Sequence, residues 1–315
     1  MSLRKAVPPS TLDRLLVPDR SFKYFEHWRT NPFRHDAAEY EPVNAWWLAE
    51  ASMLAYAEPA FITATLASTG LTAEGFNINF YVGGGTQCYV LEAPDFAVAV
   101  FRGTQVDDFW ASAVDIATDA QFILVRDGAG GRVHKGFLQA LGKVWAGLSE
   151  HLRRLTEAGG RTLWFTGHSL GGALAALSAE RAAREYGANV GGLYIFGAPR
   201  IGDASFKARL DSGGLGQKTF RVVYDADIIA RVPPKVFYQH VGRLRLIDAD
   251  GRLRHLDGDA GPTLRGRLPG DILDAFRTAP FFASSLSRLK LPVPKPLADH
   301  APVLYAVHLW NQFNP

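Results

Sequence analysis

Leu163-Trp-Phe-Thr-Gly-His-Ser-Leu-Gly-Gly-Ala-Leu-Ala175 decides the fold. A β-rich approach runs into Gly167-His168-Ser169-Leu170-Gly171, and a long alanine-rich helix begins at once. Such a strand-to-helix turn holds its serine at a strained backbone angle, with the hydroxyl exposed at the top of a sheet. The arrangement is a nucleophile elbow. Glycines two places before and two after the serine are needed because a Cβ there would collide with the turn or with the packed helix. In a chain with 31 glycines the pattern Gly-x-Ser-x-Gly alone is weak, so the flanks must confirm it. They do: strand texture precedes it, and the helix that follows runs to Tyr186-Gly187, a C′ glycine.

The 315 residues are enough for one large α/β domain with a sizeable core. Hydrophobic residues make up 47% and charged residues 21%, an ordinary globular balance, and no stretch approaches a membrane span. A net charge of +3 is too mild to imply nucleic acid as a partner. Cys88 is the single cysteine, which excludes an intrachain disulfide framework. The start, Met1-Ser-Leu-Arg-Lys-Ala-Val-Pro-Pro, lacks the apolar core of a signal peptide. The expectation is a cytoplasmic protein as written, or a secreted one if a native leader was removed.

Outward from the elbow, alternation and apolar runs mark the neighbouring elements. Residues 1–40 are polar and aromatic with scattered prolines and read as a wrapping N-terminal arm. Glu41 to Ala57 carries apolar residues at helical spacing. Phe76–Phe80 and Gln87–Leu91 read as strands, joined by a hairpin at Gly83-Gly84-Gly85, which is no phosphate loop because no Gly-Lys-Ser/Thr follows. Phe96-Ala-Val-Ala-Val-Phe101 is a continuous apolar run, as a strand buried on both faces requires. Gly136–Glu157 reads as a helix, and Thr162–Thr166, Gly192–Phe196 and Phe220–Tyr224 as strands. This β-α-β-α-β order predicts a mostly parallel central sheet with helices on both faces. Arg243 to His255 alternates around Asp250-Gly251 and reads as a hairpin, opening an insertion near 243–298. Pro302–Trp310 reads as a short terminal helix. No linker divides the chain, so a single domain over 1–315 is expected.

A serine hydroxyl is a poor nucleophile until a base takes its proton, and the base needs a carboxylate to fix its tautomer. On such a sheet the chain order is serine, acid, histidine. The strand Phe220–Tyr224 delivers Asp225 and Asp227 to the correct edge, and pattern alone ranks the two equally. Asp203 and Asp211 follow another strand at greater distance. Of the downstream histidines, His240 follows Phe237-Tyr238 on an apparent strand, His255 belongs to the hairpin, and His308 lies inside the terminal helix. His300, in Ala298-Asp-His-Ala-Pro302, sits in a loop before a helix start. A loop can aim an imidazole across a sheet edge, which favours His300.

Taken together, a series of blocks over roughly residues 96–308 resembles the class 3, or fungal-type, triacylglycerol lipases. Val98-Ala-Val-Phe-Arg-Gly-Thr104, followed by Trp110, resembles that family's oxyanion strand, and Val133-His134-Lys-Gly-Phe137 its His-x-Gly-Phe helix start. The elbow itself is in the family's usual spelling. Tyr194-Ile-Phe-Gly-Ala-Pro-Arg-Ile-Gly-Asp203 and Asp227-Ile-Ile-Ala-Arg-Val-Pro-Pro234 follow in order, and Asp299-His300 completes the series. The resemblance implies an α/β-hydrolase fold and assigns Ser169, Asp227 and His300 as the catalytic residues. It further implies that Thr104 and the Leu170 N–H form the oxyanion hole, and that His134, His168, His240 and Asp203 are supporting. The acid and base stand 73 residues apart, longer than is usual in the family, a difference attributable to the basic, aromatic segment 275–298.

The chemistry so implied is two-step transfer of an acyl group through Ser169, with acylglycerols as the expected substrates. A soluble short-chain or aryl ester, or a phospholipid, is the alternative substrate. A catalytically inactive lipase-like scaffold is disfavoured because Ser169, Asp227, His300 and Thr104 are all present. No metal and no organic cofactor are expected: no His/Cys/Asp cluster has ligand spacing, and no nucleotide loop occurs. Val106, Phe109, Trp110 and Val114 fall near i, i+3, i+4 and i+8, so residues 105–115 would show one apolar face as a helix and are the lid candidates. The expected partner is an ester lipid, with peripheral contact to lipid surfaces and no obligate protein partner.

Overall fold

The computed structural model describes residues 3–15, 18–103, 122–256 and 292–314. The strands run in chain order β1 (Asn77–Gly83), β2 (Thr86–Glu92), β3 (Phe96–Phe101), β4 (Leu124–Arg126), β5 (Arg132–His134), β6 (Thr162–His168), β7 (Val190–Phe196), β8 (Thr219–Tyr224), β9 (Arg243–Ile247) and β10 (Leu253–Leu256). Among the described residues, eight form one sheet ordered β1-β2-β3-β6-β7-β8-β9-β10, and β4 pairs with β5 apart from it. Neighbours from β3 through β9 are parallel, with antiparallel pairs at both flanks. This is the mostly parallel sheet anticipated from the β-α-β-α-β order, in the α/β-hydrolase arrangement that the resemblance implies.

The helices are α1 (Leu12–Leu15), α2 (Pro42–Leu54), α3 (Pro59–Ser68), α4 (Lys135–Gly142), α5 (Trp145–Ala158), α6 (Leu170–Tyr186), α7 (Ala204–Ser212), α8 (Leu215–Lys218), α9 (Lys295–Ala298) and α10 (Pro302–Phe313). Strand pleating sends alternate side chains to opposite faces, so each apolar run feeds two cores. On β3, Val98 and Val100 join one cluster with Trp46 of α2 and Trp310 of α10. Ala97, Ala99 and Phe101 join the other, with Leu148 of α5 and Leu174 of α6. Helices therefore cover both faces. No described helix is long and apolar enough to cross a membrane.

The N-terminal arm is fastened from beneath by Glu50, a fully buried carboxylate on α2. It accepts from Lys5 Nζ at 3.0 Å, from Trp46 Nε1 at 2.5 Å and from the Phe25 amide. Burial pushes the Glu50 carboxyl up, and Lys5 opposes that shift. The arm then reaches the segment that leads to His300, where Val293 N donates to Ser10 O at 2.9 Å.

Two local expectations change, and one helix is added. The helix expected over 136–157 is two helices, α4 and α5, broken at Lys143-Val144. There the β1–β2 turn packs so tightly that a Cβ on Gly83 would lie 2.5 Å from the Lys143 carbonyl oxygen. His240 is not on a strand: Phe237 lies in an exposed turn, and Gln239 makes a single bridge to Gly202. The helix α3 had no counterpart in the sequence reading, although Pro59 after Glu58 is a first-turn signal. The turn at Gly84-Gly85, with φ of 51° and 82°, is the expected hairpin in which both central residues need positive φ.

Candidate active site

At the end of β6 the chain reverses into α6 through Ser169, whose φ of 57° and ψ of −128° lie where non-glycine residues are strained. The strain is held by close packing on both sides. A Cβ on Gly167 would lie 2.3 Å from the Gly171 carbonyl carbon, and one on Gly171 would lie 2.2 Å from the Phe101 carbonyl oxygen. The first turn of α6 thus rests against the end of β3, and only glycine permits it. Ser169 N donates to Phe196 O at 2.9 Å, which ties the elbow to the end of β7. Leu170 opens α6, and the first amides of a helix have no intrahelical acceptor and carry its positive dipole end.

Asp227 and His300 meet beside this turn, both fully buried. His300 Nδ1 lies 2.9 Å from Asp227 Oδ2 and 3.0 Å from Oδ1. A carboxylate only accepts, so Nδ1 carries the proton and Nε2 of a neutral ring is the basic nitrogen. The remaining capacity of Asp227 is filled by Ile229 N at 2.9 Å, from the short 3₁₀ turn Ile229–Arg231, and by the Tyr305 hydroxyl at 2.5 Å. Burial, with Asp227 adding to it, raises the Tyr305 hydroxyl well above its ordinary range, so it stays protonated as a donor. A Cβ on Gly197, the residue after Phe196, would lie 2.6 Å from Asp227 Oδ2 and 3.0 Å from His300 Nδ1. The end of β7 therefore touches the elbow through Phe196 and the acid–histidine pair through Gly197.

Asp225, equal to Asp227 by pattern, takes a different place. Its carboxylate pairs with Lys295 Nζ at 2.7 Å, and Lys295 also binds Asp299 at 2.6 Å. Asp299 accepts from Ala226 N at 3.0 Å. This clasp joins the end of β8 to the loop bearing His300. Burial raises the Asp299 carboxyl, and Lys295 opposes the rise.

The other polar candidates are supporting pieces of the fold. Asp203 caps α7 through Phe206 N at 3.0 Å and pairs with Arg132. His134 caps α4 through Gly136 N at 3.1 Å and lies against Phe137. His240 bonds Ala230 O at 2.9 Å, His255 stands edge-on to Tyr40, and His308 lies against Tyr224. His168 is buried beside Ser169, and burial pushes its imidazole well below the usual range. Thr104 and the lid candidates Val106, Phe109, Trp110 and Val114 lie outside the described residues, as does most of 275–298. Gly103 is described, and its Cβ position stands 3.0 Å from His168 O, so the end of the β3 segment abuts the elbow. Tyr305 and Tyr56 escaped the sequence reading. Only the five-residue step from His300 into α10 offered a hint of the first.

The class 3 lipase family model matches residues 98–237, which hold the last four residues of β3, the elbow and Asp227. A lipase of Rhizomucor miehei is 34% identical over 150 residues, covering 45% of this chain and 39% of the relative. A phospholipase A1-II of Oryza sativa subsp. japonica is 40% identical over 95 residues, covering 26% of this chain and 23% of the relative. The chain thus spans well under half the length of these curated relatives. Among solved structures, the R. miehei triacylglyceride lipase shares the fold at a TM-score of 0.58 and 24% identity, over 80% of this chain and 94% of that one. A lipase of Rhizopus microsporus var. chinensis does so at 0.58 and 20% identity, over 94% and 96%. The elbow and the motif blocks from Val98 to Pro234 lie within the residues that match the class 3 lipase family, and the solved lipases share the fold.

Proposed function

We propose that this protein hydrolyses carboxylic esters of lipids, acylglycerols first among them, through an acyl-enzyme on Ser169. The single observation carrying the reading is the buried Asp227–His300 pair beside a strained serine turn. In this mechanism His300 Nε2 takes the Ser169 proton as the hydroxyl attacks the ester carbonyl. Asp227 keeps the ring in that tautomer and stabilises the imidazolium. The oxyanion is received by the amide of Leu170 and by Thr104, each such donor being worth about 2.7–4 kcal/mol of barrier. His300 then protonates the leaving alcohol, and water repeats the cycle on the acyl group. We read residues 1–315 as one catalytic domain, a reading supported among the described residues by the arm's contacts to Val293 and Glu50.

The resemblance to rice phospholipase A1 supports a second substrate, the ester of a phospholipid. The test is hydrolysis of one soluble aryl ester, an emulsified triacylglycerol and phosphatidylcholine vesicles, with each ester followed across its solubility limit. A rate jump where droplets form supports a lipase docking on lipid surfaces. Smooth saturation with the aryl ester alone makes the protein a soluble-ester esterase, and no hydrolysis of any of them overturns the reading.

A further inference from the structure

We propose that His168 is a positioning residue, a neutral imidazole that locks the backbone of His300 to the residue before the nucleophile and, through Tyr56, to the end of the β3 segment. The inference rests on the ester-hydrolase reading and adds to it a restraint that neither Ser169 nor Asp227 supplies.

The geometry is directional. His168 is the last residue of β6 and only 1% exposed, so its ring is committed to the interior. Its Nε2 lies 2.7 Å from the His300 carbonyl oxygen, and a carbonyl can only accept, so Nε2 carries the proton. Nδ1 of the neutral ring is then an acceptor, and the Tyr56 hydroxyl lies 2.8 Å from it. Burial disfavours the charged ring, and in the neutral ring Nε2 donates to the His300 carbonyl while Nδ1 accepts from the Tyr56 hydroxyl. Tyr56 in turn reaches the strand end: a Cβ on Gly103 would sit 2.0 Å from its hydroxyl oxygen, so glycine there admits the tyrosine.

The consequence falls on the base. His300 sits in the short loop between α9 and α10, which does not fix a backbone by itself. Its amide donates to Leu297 O at 2.9 Å, its Nδ1 to Asp227, and its carbonyl accepts from His168. Those three bonds restrain where Nε2 points. Because His168 and Ser169 are consecutive, the third bond sets the distance from base to nucleophile through a single rigid residue. The His168 and His300 rings also lie 4.5 Å apart between centroids, so the packing reinforces the bond. A misplacement of 1 Å can cost about 10²-fold in rate.

The test is steady-state hydrolysis of a soluble aryl ester, with rates expressed per serine titrated by a phosphonate so that unfolded protein does not count. In His168→Leu, kcat should fall roughly 30-fold or more with KM within about twofold. In His168→Gln, whose amide can donate to the His300 carbonyl while its oxygen accepts from Tyr56, about a tenfold share of that loss should return. Tyr56→Phe should lower kcat in the wild-type background and change little beside His168→Leu, a non-additive pair. If His168→Leu fails to fold, the Gln and Tyr56→Phe variants and their combination carry the test alone. A kcat per titrated site that is unchanged in His168→Leu or, where that variant fails, in both His168→Gln and Tyr56→Phe overturns the proposal. So does a Gln variant no better than Leu. Wild-type protein that takes no phosphonate would instead overturn the hydrolase reading on which it rests.

Discussion

Gly197 stands so near Asp227 that a single added carbon would lie 2.6 Å from the carboxylate oxygen Oδ2. The same carbon would lie 3.0 Å from both His300 Nδ1 and the Tyr305 hydroxyl, and Gly197 itself has a φ of 54°. Gly197→Ala should therefore push the acid away from the histidine while adding about 1–3 kcal/mol of backbone strain. The expected outcome is a kcat about 100-fold lower, with a lower melting temperature, measured on a soluble ester by titrated active site. Retention of full kcat would mean that the pair tolerates displacement and is not the tightly held unit described above.

The two acids next to β8 separate cleanly by substitution. Asp227→Ala leaves His300 Nδ1, the Tyr305 hydroxyl and Ile229 N without their acceptor. A fall in kcat of about 10⁴-fold is expected, the size seen when a triad carboxylate is lost. Asp225→Ala removes only one partner of Lys295, which keeps Asp299, and should change kcat by less than about threefold. The reverse ranking would assign the acid to Asp225.

Acid sensitivity should follow the buried histidines. Burial depresses His168, His240 and His308 below 6.5, so above that pH both folded and unfolded states leave them neutral. Below pH 6.5 the unfolded chain binds protons that the folded one refuses, so stability is lost as pH falls toward the folded values. Each such histidine contributes a slope of about 1.4 kcal/mol per pH unit once its unfolded form is protonated. Glu50 and Asp299, raised by burial, act with the opposite sign from the carboxylate range upward, so the comparison of two proteins isolates the histidine. Urea unfolding of wild type and His240→Asn between pH 5 and 6.5 should show a shallower rise with pH in the variant. Parallel curves would show that His240 is not held neutral.

Thr104→Val keeps an amide but deletes a hydroxyl that the proposed mechanism places on the oxyanion. A kcat lower by roughly 10-fold with little change in KM is expected, as for a group acting in the transition state. An unchanged kcat would remove that hydroxyl from the mechanism.

The sheet was legible because each strand carries its own signal. Phe96–Phe101 is apolar on both faces, and the glycines at 167 and 171 announce the turn that needs them. The break between α4 and α5 was not, and the residue packed against it, Gly83 at the end of β1, is more than fifty residues earlier in the chain. Asp225 and Asp227 were inseparable by pattern, since both follow β8 within three residues. What distinguishes their surroundings is the 3₁₀ turn that offers Ile229 N to Asp227 and the Lys295 side chain that reaches Asp225. Tyr305 and Tyr56 were invisible for the same reason: an ordinary core tyrosine and one that donates to Asp227 or His168 look alike until distant segments are brought together.

The most direct test of the central claim is where a covalent phosphonate attaches. Intact-protein and peptide mass spectrometry of the treated protein should show one adduct, carried by Ser169. Ser169→Ala should take none, and His300→Ala should label slower by several orders of magnitude because the hydroxyl loses its base. An adduct that persists undiminished in Ser169→Ala, or an absence of labelling in the wild type, would contradict the account.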